Sequence, residues 1–308
     1  MRYGLAIPQV GSLADPSIIR AVAVEADRSG FASLWALDRL LAPVAPRAPY
    51  PAAPDGVLPL EQHTVLDPLG VLTLAATVTS NIRVGTNVLV APWYPAVLLA
   101  RALSTLDHLS GGRLTVGLGL GWSADEYDAV GVPQRDLAAQ AEETLDVLDA
   151  VWTSDVVEHH GARFEIRPST ILPKPVQRPR PPLLLAAYTP AGLDRIARRA
   201  DGWTPAGLPV DAIAPMWMML RDAAAGHGRD PDTLDLVVRA NIKVLDTPLG
   251  GERPSYWGTV EQIVDDIDAT RQAGAHEIIL DLQACTTTAD ELLDLAGALV
   301  RHDRAAVA

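Results

Sequence analysis

Apolar positions along this chain switch repeatedly between two periods. Ile18, Ile19, Val22 and Ala26 fall on one face of a helix predicted from Asp15-Pro16 to about Ser29, with Gly30 as its stop. Short, nearly continuous apolar runs read instead as strands buried on both faces: Tyr3–Ile7, Ser33–Leu37, Ile82–Leu89, Arg113–Leu118, Leu183–Ala187, Asp201–Trp203, Leu236–Leu245 and Glu277–Leu282. Between them the helical period returns at Asp67-Pro68 to Thr79, Pro95 to Ser110, Arg135 to Trp152, Thr189-Pro190 onward, Val210 to Ala225, Thr259 to Ala273 and Ala289 to Arg301. This makes about eight strand–helix pairs in strict alternation, which predicts an all-parallel sheet, and the count fits a closed (β/α)8 TIM barrel.

Two stretches interrupt the alternation. Leu41–Thr64 follows the second strand and is rich in proline; a loop that long in a compact α/β chain reads as a lid. Val156–Ile166 reads as a hairpin turning near His160-Gly161, inserted after the fourth barrel helix and followed by a second proline-rich crossing, Arg167–Pro182. With these insertions, residues 1–308 are expected to form one barrel domain.

The chain is organised around Leu103–Tyr127. A helix ends at Gly111-Gly112, a strand follows, Gly117, Gly119 and Gly121 bare its end, and Ser123 opens a helix with Glu126 in capping-box position. A Rossmann dinucleotide site is disfavoured, because no acidic ribose partner follows. The glycines read either as clearance for a ligand or as room for close packing.

Composition narrows the function classes. A net charge of −13 argues against nucleic acid and against anionic membrane surfaces. A single cysteine, Cys285, excludes an internal disulfide framework and points to a reducing, cytoplasmic setting. Neither a signal peptide nor a membrane span is expected from the sequence. The seven histidines are scattered without ligand spacing, so no metal site is expected, and no GxSxG occurs.

A barrel puts its chemistry at the carboxyl ends of the strands. That rule gathers Gln9, Asp38-Arg39, Asn87-Val88, Gly121-Trp122, Ala187-Tyr188-Thr189, Asn241–Lys243 and Gln283. Asp38 can bind a ligand N–H or cap the next segment. Arg39 can hold an anion or pair with a carboxylate, and His63 can serve as acid or base in the lid. Trp122 can wall an aromatic ligand or lie in the core. Thr189-Pro190 opens a helix straight from a strand, either an anion site or a plain cap.

Three blocks, GFASLWALDRL (Gly30–Leu40), Leu66–Tyr127 and PPLLLAAYTPAGLDRIARRADGW (Pro181–Trp203), resemble in order and spacing the bacterial luciferase-like monooxygenase superfamily, in particular its actinobacterial coenzyme F420-dependent oxidoreductases. The resemblance implies a barrel that binds a deazaflavin, or alternatively FMN, at its mouth, and a cytoplasmic homodimer acting on a small organic molecule. Asp38 then matches the acidic residue near the ring. Asn87-Val88 matches a bulge with a non-proline cis peptide behind the ring, and Leu120, Gly121 and Trp122 match the ring edge and substrate wall. Ala187, Tyr188 and Thr189 match the phosphate turn. The catalytic set implied is Asp38, Arg39, His63 and Trp122. The expected activity is hydride transfer with F420; the alternatives are an oxygen-using FMN monooxygenase and a catalytically silent flavin-binding barrel. The chain departs from the family at Arg39, where histidine is frequent, and at Trp122, where the sugar-phosphate dehydrogenases carry glutamate.

Overall fold

The computed structural model describes residues 1–53 and 55–307. In chain order the elements are β1 (Arg2–Ala6), α1 (Pro16–Arg28), β2 (Ser33–Ala36), α2 (Pro68–Val78), β3 (Arg83–Thr86), β4 (Leu89–Val90), α3 (Ala96–Leu109), β5 (Leu114–Gly119), α4 (Ala124–Ala129), α5 (Leu137–Thr153), β6 (Val157–His160), β7 (Glu165–Ser169), β8 (Leu183–Leu185), α6 (Pro190–Arg199), β9 (Gly202–Trp203), α7 (Val210–Gly226), β10 (Asp235–Asn241), β11 (Lys243–Val244), β12 (Trp257–Gly258), α8 (Val260–Gln272), β13 (Glu277–Asp281) and α9 (Ala289–Val307).

Eight parallel strands close into a ring in the order β1-β2-β3-β5-β8-β9-β10-β13, and β13 pairs back onto β1 with Tyr3 opposite Ile278. This is the (β/α)8 barrel that the alternation predicted. The helices begin where the sequence supplies a capping oxygen. Asp15 accepts from the Ser17 N–H at 2.7 Å, Asp67 from Gly70 at 2.7 Å and Thr189 from Gly192 at 3.2 Å. The hairpin is the antiparallel pair β6–β7.

Inside the ring, the indole of Trp35 packs with Ala6, Leu184, Val237 and Ile279. It fits because β3 carries no side chain at Gly85, where a Cβ would lie 2.5 Å from the ring. Its N–H donates to Ser33 Oγ at 2.6 Å and to Glu277 Oε1 at 3.0 Å.

Two predicted strands are broken in the structure. Ile82–Leu89 becomes β3 and β4, separated by a cis peptide at Asn87-Val88. Leu236–Leu245 becomes β10 and β11, and β11 leaves the barrel to pair in parallel with β12. Both breaks lie at the carboxyl end of the barrel and turn backbone and side chains toward its mouth.

Candidate active site at the barrel mouth

The break between β3 and β4 is seated on the glycines of β5. A Cβ at Gly117 would meet the Thr86 carbonyl oxygen at 2.0 Å, and one at Gly119 would meet Val88 Cγ2 at 2.6 Å. The glycines therefore make room for the bulge itself, which holds Val88 out at the mouth. Gly119 also borders Ala186, and Ala187 in turn packs on Gly192 in the first turn of α6. Val88 and the Ala187–Thr189 turn thus share one rim, on either side of β5. At that turn Pro190 has no N–H and the Gly192 N–H is capped by Thr189, which leaves the Ala191 N–H, without a partner among the described residues, at the positive end of the α6 dipole. Tyr188 is 47% exposed, yet its hydroxyl is held by the Ala206 backbone, donating to the carbonyl at 3.1 Å and accepting from the N–H at 3.2 Å.

Behind the bulge runs a buried polar network. Asn87 Nδ2 donates to Thr204 Oγ1 at 2.6 Å, and Thr204 Oγ1 donates to the Val237 carbonyl at 2.9 Å. Arg239, 5% exposed, reaches the Asn87 carbonyl at 3.3 Å and pairs with Asp281. Asp281 accepts from Gln283 Nε2 at 3.1 Å, and Gln283 Oε1 accepts from the Gln9 N–H at 2.8 Å. Arg239, Asp281 and Thr204 were not singled out from the sequence. An arginine inside the apolar run LVVRA was the available signal, since a charge there must find buried partners.

Asp38 stands beside the bulge. Its Oδ2 accepts from the Val90 N–H at 3.0 Å and the Tyr94 hydroxyl at 2.9 Å. Among the described residues Oδ1 has no partner. Burial pushes the carboxyl up to about 6; the two hydrogen bonds oppose this, and the charges of Asp67 and Glu126 add to it.

Arg39 points away from Asp38. It pairs with Glu126 at 3.5 Å, both side chains being almost fully buried, and its guanidinium lies 5.4 Å from the Trp122 ring and 5.7 Å from Tyr50. Its Nε is buried without a partner among the described residues. Glu126 also accepts from the Leu40 N–H at 2.8 Å. Its N–H is capped by Ser123 as expected, but its carboxylate does not return to complete a capping box. The lid is thereby strapped to α4: Arg47 binds Asp125 at 3.1 Å and Asp128 at 2.7 Å, and Tyr50 meets Trp122 edge-on at 5.6 Å.

Leu120, Gly121 and Trp122 form the rim between bulge and lid, and the Leu120 carbonyl accepts from the Tyr127 hydroxyl. His63 is not gathered with Asp38. It is exposed on a 3-10 turn of the lid, Leu60–His63, where it lines a cavity of about 550 Å3 over Leu37, Asn241 and Gln283. A larger hollow, about 730 Å3, lies between α1 and α9 around Tyr3, remote from these groups. Among the described residues no cluster of three metal-capable side chains occurs, and no helix is long and apolar enough to cross a membrane.

Known proteins share this architecture. The crystal structure of the monooxygenase RslO1 from Streptomyces bottropensis superposes with a TM-score of 0.79 at 22% identity, over 98% of this chain and 99% of that one. The coenzyme F420-dependent tetrahydromethanopterin reductase from Methanopyrus kandleri gives 0.75 at 17% identity, over 98% and 99%. At such identities the likeness is one of fold. In sequence, an uncharacterized protein of Mycobacterium tuberculosis is 34% identical over 276 residues, 87% of this chain and 95% of its own length. The FMNH2-dependent dimethylsulfone monooxygenase of Pseudomonas putida is 32% identical over 153 residues, 49% of this chain and 42% of that protein. The family model for luciferase-like monooxygenases matches residues 2–249, and the chain belongs to that family.

Proposed function

We propose that this chain is an oxidoreductase that transfers a hydride between the deazaflavin coenzyme F420 and a small organic substrate at the barrel mouth. The observation that carries the reading is the continuous seat from Val88 across Gly119 to Ala187, with an apolar side chain under a ring at one end and, at the other, the Ala191 N–H and the Thr189 hydroxyl at the positive end of α6 for a phosphate. Such a seat fits an elongated, planar, phosphorylated cofactor. When bound, the deazaflavin supplies the carbon that gives or takes the hydride.

The residues around it supply position and proton control. Val88 backs the ring, held out by the bulge that Arg239 and Thr204 fix from behind. Leu120, Gly121 and Trp122 border its edge. Thr189 and the first turn of α6 take the phosphate; Arg195 contributes little charge there, since it is committed to Glu142 at 2.8 Å. Asp38 Oδ1 accepts a ligand N–H or holds a proton, and with a pKa of about 6 it exchanges that proton near neutrality. The lid, drawn down by Arg39, Arg47 and Tyr50 onto α4 and Trp122, keeps water from the reacting face.

The same seat accommodates FMN, and the Pseudomonas relative favours that second reading, an FMN-dependent monooxygenase. Fluorescence titration with F420 and with FMN separates the two, followed by oxygen-uptake measurements with each reduced cofactor. Micromolar binding of F420 without oxygen uptake is expected. Tighter FMN binding with substrate-dependent oxygen uptake replaces the proposal by the second reading. Binding without turnover under every donor–acceptor pair leaves a silent barrel, and no binding of either cofactor overturns both enzymes.

The functional unit is proposed to be a homodimer through the outer faces of α2 and α3, where Leu98 and Leu109 are 50% and 49% exposed.

A further inference from the structure

The hollow of about 730 Å3 between α1 and α9 belongs to no part of the mouth. Its α9 wall is one stripe, Asp290, Leu293, Asp294, Gly297, Arg301 and Arg304, at the three- and four-residue spacing of a single helix face. The stripe is about 20 Å long. Small residues keep the hollow open, Ala21 on the α1 wall and Gly297 on the α9 wall, while the half-buried Leu293 and Val300 give the middle of the stripe an apolar surface.

Charge is arranged about that middle. Asp290 and Asp294 stand in the amino-terminal half and Arg301 and Arg304 in the carboxyl-terminal half; all four are exposed, and none has an ion-pair or hydrogen-bond partner among the described residues. Within one chain they do not meet, since Asp294 and Arg301, the nearest two, are separated by about 10 Å of helix rise. Glu25, the remaining acid of the lining, is taken by Arg28 at 2.6 Å and by the Ser29 hydroxyl at 2.7 Å. The spacing is symmetric: Asp290 and Arg304 lie seven residues to either side of Gly297, and Asp294 and Arg301 three and four. A second α9 laid antiparallel across Gly297 therefore brings each aspartate against an arginine of the other copy, in two pairs that a two-fold axis makes four. Glycine at the crossing lets the helices approach closely. The Arg301 guanidinium, which folds back over Gly297, swings outward to reach Asp294 of the second copy. With as many unpaired acids as arginines, this face meets its own copy without the repulsion that a net charge of −13 imposes elsewhere.

We propose that the α1–α9 face is an interface between two copies of this chain, built on antiparallel α9 helices that cross at Gly297 and are held by Asp290–Arg304 and Asp294–Arg301 pairs across the two-fold axis. Leu293 and Val300 of the second copy then enter the hollow beside Ala21. The contact is separate from the α2–α3 face and independent of any cofactor. A single helix pair with its flanks lies at the small end of specific interfaces, so association is expected at tens to hundreds of micromolar protein, about the range of weak, reversible contacts.

Sedimentation equilibrium of the full chain, from about 2 μM to about 500 μM, tests this. The dilute protein sets the baseline, whatever the α2–α3 face contributes there, and the weight-average mass should rise about two-fold above it. Asp290→Lys with Asp294→Lys makes the face wholly basic, and Arg301→Glu with Arg304→Glu makes it wholly acidic. Each double variant should weaken self-association at least about 10-fold. Their equimolar mixture should associate within about 3-fold of the wild type, because each basic face then finds an acidic one. Far-UV circular dichroism and thermal melts confirm that each variant is folded. The reversed charges oppose the α9 dipole, so Asp290→Asn with Asp294→Asn serves as a milder variant, with about 3-fold weakening expected. A wild-type mass that stays constant over the whole range, reversed variants that associate as the wild type does, or a mixture no better than its components overturns the assignment.

Discussion

Replacing Asp38 by asparagine isolates the electrostatic cost of the proposed proton-holding group. The side chain keeps its shape and still offers an oxygen to the Val90 N–H and the Tyr94 hydroxyl. The charge is removed and the other oxygen becomes an NH2 group at the position of Oδ1. Burial raises the carboxyl from its usual 3.8 to about 6, so between those values the folded protein holds a proton that the unfolded chain has released. Wild-type stability therefore falls as pH rises through this window, by about 1.4 kcal/mol per pH unit, and the loss reaches about 2–3 kcal/mol by pH 7. The Asp38→Asn protein bears no such loss.

The unfolding entropy near 2.1 cal/mol/K per residue, applied to 308 residues, makes each kcal/mol worth about 1.5 °C in Tm. Scanning calorimetry from pH 4 to pH 8 should find the two proteins close near pH 4. The Asp38→Asn protein should melt about 3–5 °C higher above pH 6. Parallel curves across the whole range, or a variant less stable at pH 7, would refute the argument that Asp38 is held against its charge. The same substitution should remove a limb with apparent pKa of about 6 from the pH profile of kcat/KM.

Other substitutions test the neighbouring parts. Tyr94→Phe deletes a hydrogen bond that stabilises the Asp38 carboxylate, so the kcat/KM limb should move above 6. Gly117→Ala drives a methyl into the Thr86 carbonyl, whereas Gly119→Ala meets only the end of the Val88 side chain. Denaturant titration should show the former as the costlier change, by about 1–3 kcal/mol, while the latter chiefly weakens cofactor binding. Glu126→Ala leaves the Arg39 charge buried and frees the Leu40 N–H, costing about 3–5 kcal/mol and speeding proteolysis within residues 41–53. Leu98→Arg should turn a dimer into a monomer by light scattering; a wild-type monomer ends the interface proposal.

The sequence carried the barrel because each repeat states its own boundaries. Asp15-Pro16, Asp67-Pro68 and Thr189-Pro190 pair a capping oxygen with a proline at the first helical position, and the structure uses each one where it falls. The site was legible only to the extent that it lies at strand ends. Asp38, Asn87, Trp122 and Thr189 follow from that rule, but the partners of the first three come from distant segments, Val90, Thr204 and Tyr50, where no periodicity records the pairing. Arg39 shows the consequence most clearly. Its position at a strand's carboxyl end leaves anion binding and ion pairing equally open. The choice falls to Glu126, 87 residues on, which the sequence offers as a capping partner. The structure directs that carboxylate to the lid instead, closing one edge of the mouth with a buried pair.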